Sequence, residues 1–348
     1  MTSRRVALLA LAVAAALSML VPACTSSSDH GAGAVYRNPV FPHDAPDPSL
    51  IRADDGYFYA YTTQSIYPDG VLNLPILRSA DLVHWKLVGQ VFPKIPRWVV
   101  GGPAGDMWAP HAVIFDGEYY VYYAGRQYGT GIMAIGVATS DSPTGPFHDL
   151  GKPLISGYRP YVAIDPFAFQ AVNGTKYIYW GSNSDPIRVQ RLSSDGMALV
   201  GAPKVALAPR PSDNGGLIER PWILPHDGLY YLLYSQGDCC SSHADYQVAV
   251  ASSPSPTGPF VRDPNNPILS GNDHFTAPGH NATITDDAGQ DWIVYHARVG
   301  GNLVHDRDLL LDRIVWKDGW PTIDAGKGPS WTPEPVPVIH PASGVPSP

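Results

Sequence analysis

A glycine-turn hairpin recurs five times along the 348 residues of this chain. Each copy runs from a short apolar stretch through a turn into a strand dense in aromatic residues. The turns are Asp55-Gly56, Asp116-Gly117, Asn173-Gly174, Asp227-Gly228 and Ala288-Gly289. The strands after them span Tyr57 to Tyr61, Glu118 to Tyr123, Thr175 to Trp180, Leu229 to Tyr234 and Gln290 to Tyr295. Asp-Gly and Asn-Gly are what tight hairpins require when both central residues need positive φ. The glycines lie 54 to 61 residues apart. So even a period, with hairpins inside it, predicts a closed array of repeats; a pair of β-sandwiches would not demand it. The expectation is an all-β, five-bladed β-propeller over residues 35–331, four strands to a blade. A second echo fits: Ala138 to Phe147 reappears as Ala251 to Phe260.

Composition agrees. The chain holds 34 Gly and 36 Pro beside 19 Tyr and 9 Trp, and no long stretch carries apolar residues at helical spacing. Short aromatic runs between turn residues are the mark of strands. The net charge of −8 and the lack of a basic block exclude nucleic acid, whose binding needs clustered Lys and Arg. Three cysteines are too few for a disulfide scaffold, so a buried core must hold the domain together.

The first residues predict export. Arg4 and Arg5 precede an apolar run from Val6 to Val21, with Ala23 just before Cys24, the layout of a signal peptide over residues 1–23. The run is shorter than the ~20 residues that span a bilayer as a helix. Ser3-Arg4-Arg5 resembles a twin-arginine signal, and Val21-Pro22-Ala23-Cys24 a bacterial lipobox ending at Cys24. Lipidation of Cys24 would make a cell-surface lipoprotein, with no other membrane contact; ordinary cleavage after Ala23 would release a secreted protein. Residues 24–34 are a flexible Ser/Gly tether, and 332–348 a Pro-rich tail without strands.

Nine residues before each repeat glycine stand Asp47, Trp108, Asp165, Glu219 and His280. The innermost strand of every propeller blade lines the central channel, so equivalent positions form a ring around the axis. A structural repeat would favour one small or apolar residue there. Three carboxylates in one register repel each other, and such costs concentrate at functional sites. A Pro follows each: Asp47-Pro48, Asp165-Pro166 and Glu219-Arg220-Pro221. It fixes the chain where a strand begins, the place sheets tolerate it.

Taken with Trp108-Ala109-Pro110-His111, Pro278-Gly279-His280-Asn281 and the segment Asp312 to Pro321, these motifs resemble glycoside hydrolase family 43 from about Tyr36 to about Pro329. The resemblance implies an inverting glycosidase acting on arabinans, xylans and related sugars. Asp47 would be the general base, Glu219 the general acid, and Asp165 the neighbour that raises the acid's pKa and orients it. Inversion needs base and acid ~6.5–9.5 Å apart to admit a water, and an acid still protonated near neutral pH. Members typically carry Gly or Ala where this chain has Arg220, which leaves the substrate open.

No cofactor is required for that chemistry. His280 resembles a channel histidine that contacts a hydrated calcium ion in several arabinan-active members; a hydrogen-bonded spacer is the plainer alternative. Trp108 is expected to offer its face to a sugar ring, or else to pack. Arg298 would bind substrate hydroxyls or form a surface salt bridge, and Trp85 would pack between blades. Adjacent Cys239 and Cys240 form either a strained vicinal disulfide or two free thiols. A similar pair in some arabinanases favours an α-L-arabinofuranosidase or endo-α-1,5-arabinanase. The alternatives are a β-xylosidase with the same three carboxylates and a glycan-binding propeller without catalysis. A fructan-active propeller would need a different motif around Asp47.

Overall fold

A computed structural model describes residues 33–101, 107–300 and 306–340. The leader, Cys24 and most of the tether lie outside these residues, as does the end of the tail. Five four-stranded antiparallel sheets account for the repeats. Their innermost strands are Ser49–Arg52, Met107–Phe115, Phe167–Gln170, Ile218–His226 and Phe275–Thr285, here blades 1 to 5. Each innermost strand packs against those of its two neighbours, and blade 5 against blade 1, so the ring closes. The chain is a five-bladed β-propeller, and the described residues contain no α-helix.

The aromatic strands lie second in each blade and supply the core. Tyr61, Tyr123, Trp180, Tyr234 and Tyr295 are fully buried, and burying a large side chain contributes roughly 1.5–3 kcal/mol. Trp85 is buried in the same core, its indole N–H donating to the Leu82 carbonyl at 2.8 Å. The echoed segments make matching turns: the Ser142 and Ser255 amides donate to Ser140 Oγ and Ser253 Oγ, both at 3.1 Å.

The N-terminal segment seals the ring. Tyr36 Oη and Asn38 Nδ2 both donate to the Leu311 carbonyl of blade 5, at 2.7 and 2.8 Å. The stretch after Trp331 is not strandless as expected. Glu334–Pro335 pairs antiparallel with Val35–Tyr36, because the extended Pro-rich backbone meets an open edge beside blade 5.

The five turns are of two kinds, and this resets the register around the axis. In blades 2 and 4 the paired residues Phe115 and Glu118, or His226 and Leu229, leave only Asp116-Gly117 or Asp227-Gly228 between them. Both residues of each turn have positive φ, as tight hairpins require. In blades 1, 3 and 5 the amides of Ala53, Ala171 and Asp286 reach across to Tyr57, Thr175 and Gln290. There the loop is one residue longer and only its glycine has positive φ. Counting back from glycine therefore slips by one in blades 2 and 4.

Candidate active site

The structurally equivalent ring positions are Asp47, Ala109, Asp165, Arg220 and His280. All five have left-handed backbone, with φ of 56°, 48°, 51°, 53° and 52°. That conformation costs an L-residue roughly 1–2 kcal/mol, and five copies of it mark where the propeller holds strain at its axis. In four blades Pro follows directly, at 48, 110, 166 and 221. Trp108 and Glu219 stand one residue earlier than expected, just outside this ring. All five predicted residues still line one open pocket of about 510 Å³, together with Thr63, Tyr161, Cys239, Cys240 and Arg307.

Asp47 is held as an anion. Thr63 Oγ1 donates to its Oδ2 at 2.6 Å, and Arg307 Nη1 to its Oδ1 at 3.0 Å. The Nδ1 atoms of His280 and His296 each lie 3.3 Å from Oδ1. Its own amide donates to His296 Nδ1 at 3.0 Å, fixing the turn. Burial would push this carboxyl up. The Arg307 guanidinium leads the causes that outweigh it and hold Asp47 well below the usual carboxylate range.

Glu219 is the opposite case. Burial first, then the charge on Asp47, push its carboxyl up to about 7, against a hydrogen bond that pulls it down. That bond comes from Tyr246, whose hydroxyl donates to Oε1 at 2.7 Å. The aromatic ring fits because residue 279 is glycine: a Cβ there would stand 2.1 Å from Tyr246 Cδ1.

Asp165, the neighbour expected to raise the acid's pKa, has its own carboxyl raised. Its carboxyl is buried and pushed well above the usual range, by burial first, then by Glu219 and Asp47. Only the Arg220 charge and the Arg220 amide, donating to Oδ2 at 3.1 Å, favour its ionised form. Both carboxyls are thus harder to ionise than free ones, and the Glu219 charge is one cause of the rise at Asp165.

The pocket walls are an aromatic pair and a disulfide. Trp108 stacks on Tyr161 with planes 6° apart and centroids 6.1 Å apart. Cys239 and Cys240 are bonded to each other. Asp238 Oδ1 accepts the Cys240 and Ser241 amides at 2.8 and 3.1 Å and shapes that turn. Arg298 stands behind this loop, where the charges of Arg307, Asp47 and Asp238 act on it. It is buried, and its Nη1 donates to the Cys239 carbonyl at 2.7 Å. That bond ties the strand to the disulfide loop.

His280 is buried between Asp47 and Asp165, its Nδ1 4.0 Å from Asp165 Oδ2. Burial, then the Arg220 charge, drive the imidazole well below its ordinary range, so it is neutral. Its Nε2 has no protein partner, as a contact to a hydrated ion would leave it. The surroundings do not suit a cation: the Arg220 guanidinium already occupies the axis beside it. Among the described residues no three His, Cys, Asp or Glu side chains converge as metal ligands.

Several contributors escape the backward count. Thr63, Ser235 and His296 stand seven residues after Gly56, Gly228 and Gly289, where the forward count crosses no variable loop. Thr63 and His296 hold Asp47, and Ser235 Oγ accepts the His280 amide at 2.9 Å. Arg307 and Tyr246 come from outside the two inner strands, with no repeat to flag them.

The model of the family described as Glycosyl hydrolases family 43 matches residues 36–321. An extracellular endo-α-(1→5)-L-arabinanase of Bacillus subtilis is 29% identical over 290 residues, covering 79% of this chain and 86% of that protein. A β-D-galactofuranosidase of Aspergillus niger is 31% identical over 309 residues, covering 84% and 85%. The crystal structure of a thermostable family-43 glycoside hydrolase superimposes with a TM-score of 0.74 at 28% identity, covering 88% of this chain and all of that one.

Proposed function

The chain belongs to glycosyl hydrolase family 43 and is an inverting glycoside hydrolase, and we propose that it cleaves α-L-arabinofuranosidic bonds, with Asp47 as base and Glu219 as acid. The observation that carries the assignment is the split between two carboxyls of one pocket. Asp47 is held ionised, while Glu219 is raised to about 7 and keeps a proton. A base must be empty and an acid loaded at the same pH, and opposite environments are how one site achieves both.

In the proposed reaction, Asp47 takes a proton from a water that attacks the anomeric carbon opposite the leaving group. Glu219 delivers its proton to the departing glycosidic oxygen, so no alkoxide has to leave. The bond to the leaving oxygen breaks as the bond to water forms, and the new hydroxyl has inverted configuration. Tyr246 donates to Oε1 of Glu219, which leaves Oε2 free to carry the proton. Solvent then reloads Glu219 as Asp47 gives up the proton it took, so the net change is one water added across the broken bond. General acid and base steps of this kind each contribute roughly 10²–10⁴ in rate.

The furanoside assignment rests on two observations. The two relatives described act, by their names, on arabinan and on galactofuranose, both built from five-membered rings. The flat face of Trp108 and Tyr161, with the compact disulfide turn in the same pocket, suits a small planar sugar. We further propose that the chain is exported by its leader and works outside the cytoplasm.

A hydrolysis screen tests the reading with debranched arabinan, nitrophenyl α-L-arabinofuranoside and nitrophenyl β-D-xyloside. Release of arabinose or arabino-oligosaccharides, with xyloside at least tenfold slower, is the expected result. A preference for xyloside would overturn the substrate assignment, and binding of glycan without any hydrolysis would overturn the catalytic one.

A further inference from the structure

We propose that the Arg220 guanidinium is the resident cation of the propeller axis, standing where a hydrated calcium ion is expected, so that the chain folds and turns over without a divalent metal. The side chain is completely buried yet reaches across the channel. From blade 4, its Nη2 donates to the Pro48 carbonyl of blade 1 at 3.1 Å and its Nε to the Asn281 carbonyl of blade 5 at 3.0 Å. The guanidinium charge also acts on the Asp165 carboxyl of blade 3, favouring its ionised form. After burial, its charge is the next cause that depresses the His111 imidazole of blade 2. Only a group on the axis is within reach of all five blades.

Charge balance supports the assignment. A buried guanidinium needs opposite charge nearby, and Asp165 and Asp47 are the charges that sustain it. Asp47 contributes one negative charge, and of the two raised carboxyls, Asp165 and Glu219, no more than one ionises readily beside it. Arg220 and Arg307 already match those charges. A divalent ion added at the axis would leave at least two positive charges in excess.

The hydrogen-bonding inventory points the same way. A hydrated cation turns water hydrogens outward and needs acceptors around it. The carbonyls of Pro48 and Asn281 are already taken by Arg220. Of the buried polar atoms without partners here, Arg220 Nη1 and Asn281 Nδ2 are donors, beside the acceptors Asn281 Oδ1 and His280 Nε2. A mixed set of this kind suits ordered water, which donates and accepts at once.

The test reads metal content and melting temperature, so it stands apart from the choice of substrate. The full chain, treated with chelator and dialysed, should carry no stoichiometric calcium and melt at the same temperature in EDTA as in millimolar calcium chloride. A native-state site filled to about 100 times its Kd would instead raise Tm by several degrees. Arg220→Ala, which removes both the charge and the bulk, should acquire a calcium-dependent rise in Tm that magnesium does not reproduce. Arg220→Lys, which keeps the charge, should remain indifferent to calcium. Stoichiometric calcium in the parent, or a Tm or activity that falls in EDTA, would overturn the proposal. So would a calcium-dependent Arg220→Lys variant. If Arg220→Ala does not fold, the parent and the lysine variant still decide the matter.

Discussion

Replacing Tyr246 by Phe should move the alkaline edge of activity upward by about one pH unit. The Tyr246 hydroxyl donates to Glu219 Oε1 at 2.7 Å inside a buried pocket. A hydrogen bond to a charged group is worth about 1.5–3 kcal/mol and one to a neutral group about 0.5–1.5. The bond thus favours ionised Glu219 over protonated Glu219 by about 1–1.5 kcal/mol. At 1.36 kcal/mol per unit, that is about one pH unit of lowering. Glu219 at about 7 would rise to about 8 in the variant. The sign is fixed by its role: the acid works protonated, activity is lost as pH rises through its pKa, and a higher pKa extends activity to higher pH. Phe keeps the ring that lies against Gly279 and stacks on His296 at 5.9 Å. The assay is kcat/KM against pH with an arabino-oligosaccharide, whose poor leaving group keeps proton delivery in the rate. A lower Tm with an unmoved alkaline edge would mean Tyr246 is only structural. An edge displaced downward would refute the reasoning about Glu219.

Asp165→Asn should shift the same edge the other way. Glu219 loses the carboxyl whose ionisation competes with its own and gives up its proton more readily, so the pH–rate profile of the variant should fall off below that of the parent; an upward shift would contradict the repulsion between the two carboxyls. Thiol titration under denaturing, non-reducing conditions should find neither Cys239 nor Cys240 reactive, since they are bonded to each other; two free thiols would remove the disulfide wall of the pocket. Mass spectrometry of the native protein should find Cys24 at the mature N-terminus carrying a diacylglyceryl group; an unmodified mature chain would make this a freely secreted enzyme.

The fold was legible because a propeller repeats its hairpin, and the glycine of each turn must recur wherever φ is positive. The site was legible in outline for the same reason, since equivalent positions of five inner strands converge on one axis. The slip of Trp108 and Glu219 arose because the count ran backward through loops of unequal length. The prolines at 48, 110, 166 and 221 carried the correct register, since they follow the left-handed residue itself. Tyr246 and Arg307 were not legible: their contacts to Glu219 and Asp47 are made across the fold, and no local pattern encodes them. The bond from Arg298 to the Cys239 carbonyl was not legible either, because a strand position does not reveal which backbone atom a long side chain reaches. Asp165 was expected to raise the acid's pKa, and the rise of its own, caused first by burial and then by Glu219 and Asp47, was not legible in the sequence.

The division of labour between Asp47 and Glu219 is tested most directly by comparing Asp47→Asn and Glu219→Gln on an arabinofuranoside with a very good leaving group. Such a leaving group departs with little protonation, so the acid becomes dispensable while the base does not. Glu219→Gln should retain much of the parent's rate on this substrate while failing on arabino-oligosaccharides, and Asp47→Asn should be inactive on both. Substantial turnover by a folded Asp47→Asn protein would contradict the account, because nothing else in the pocket is assigned to activate the water.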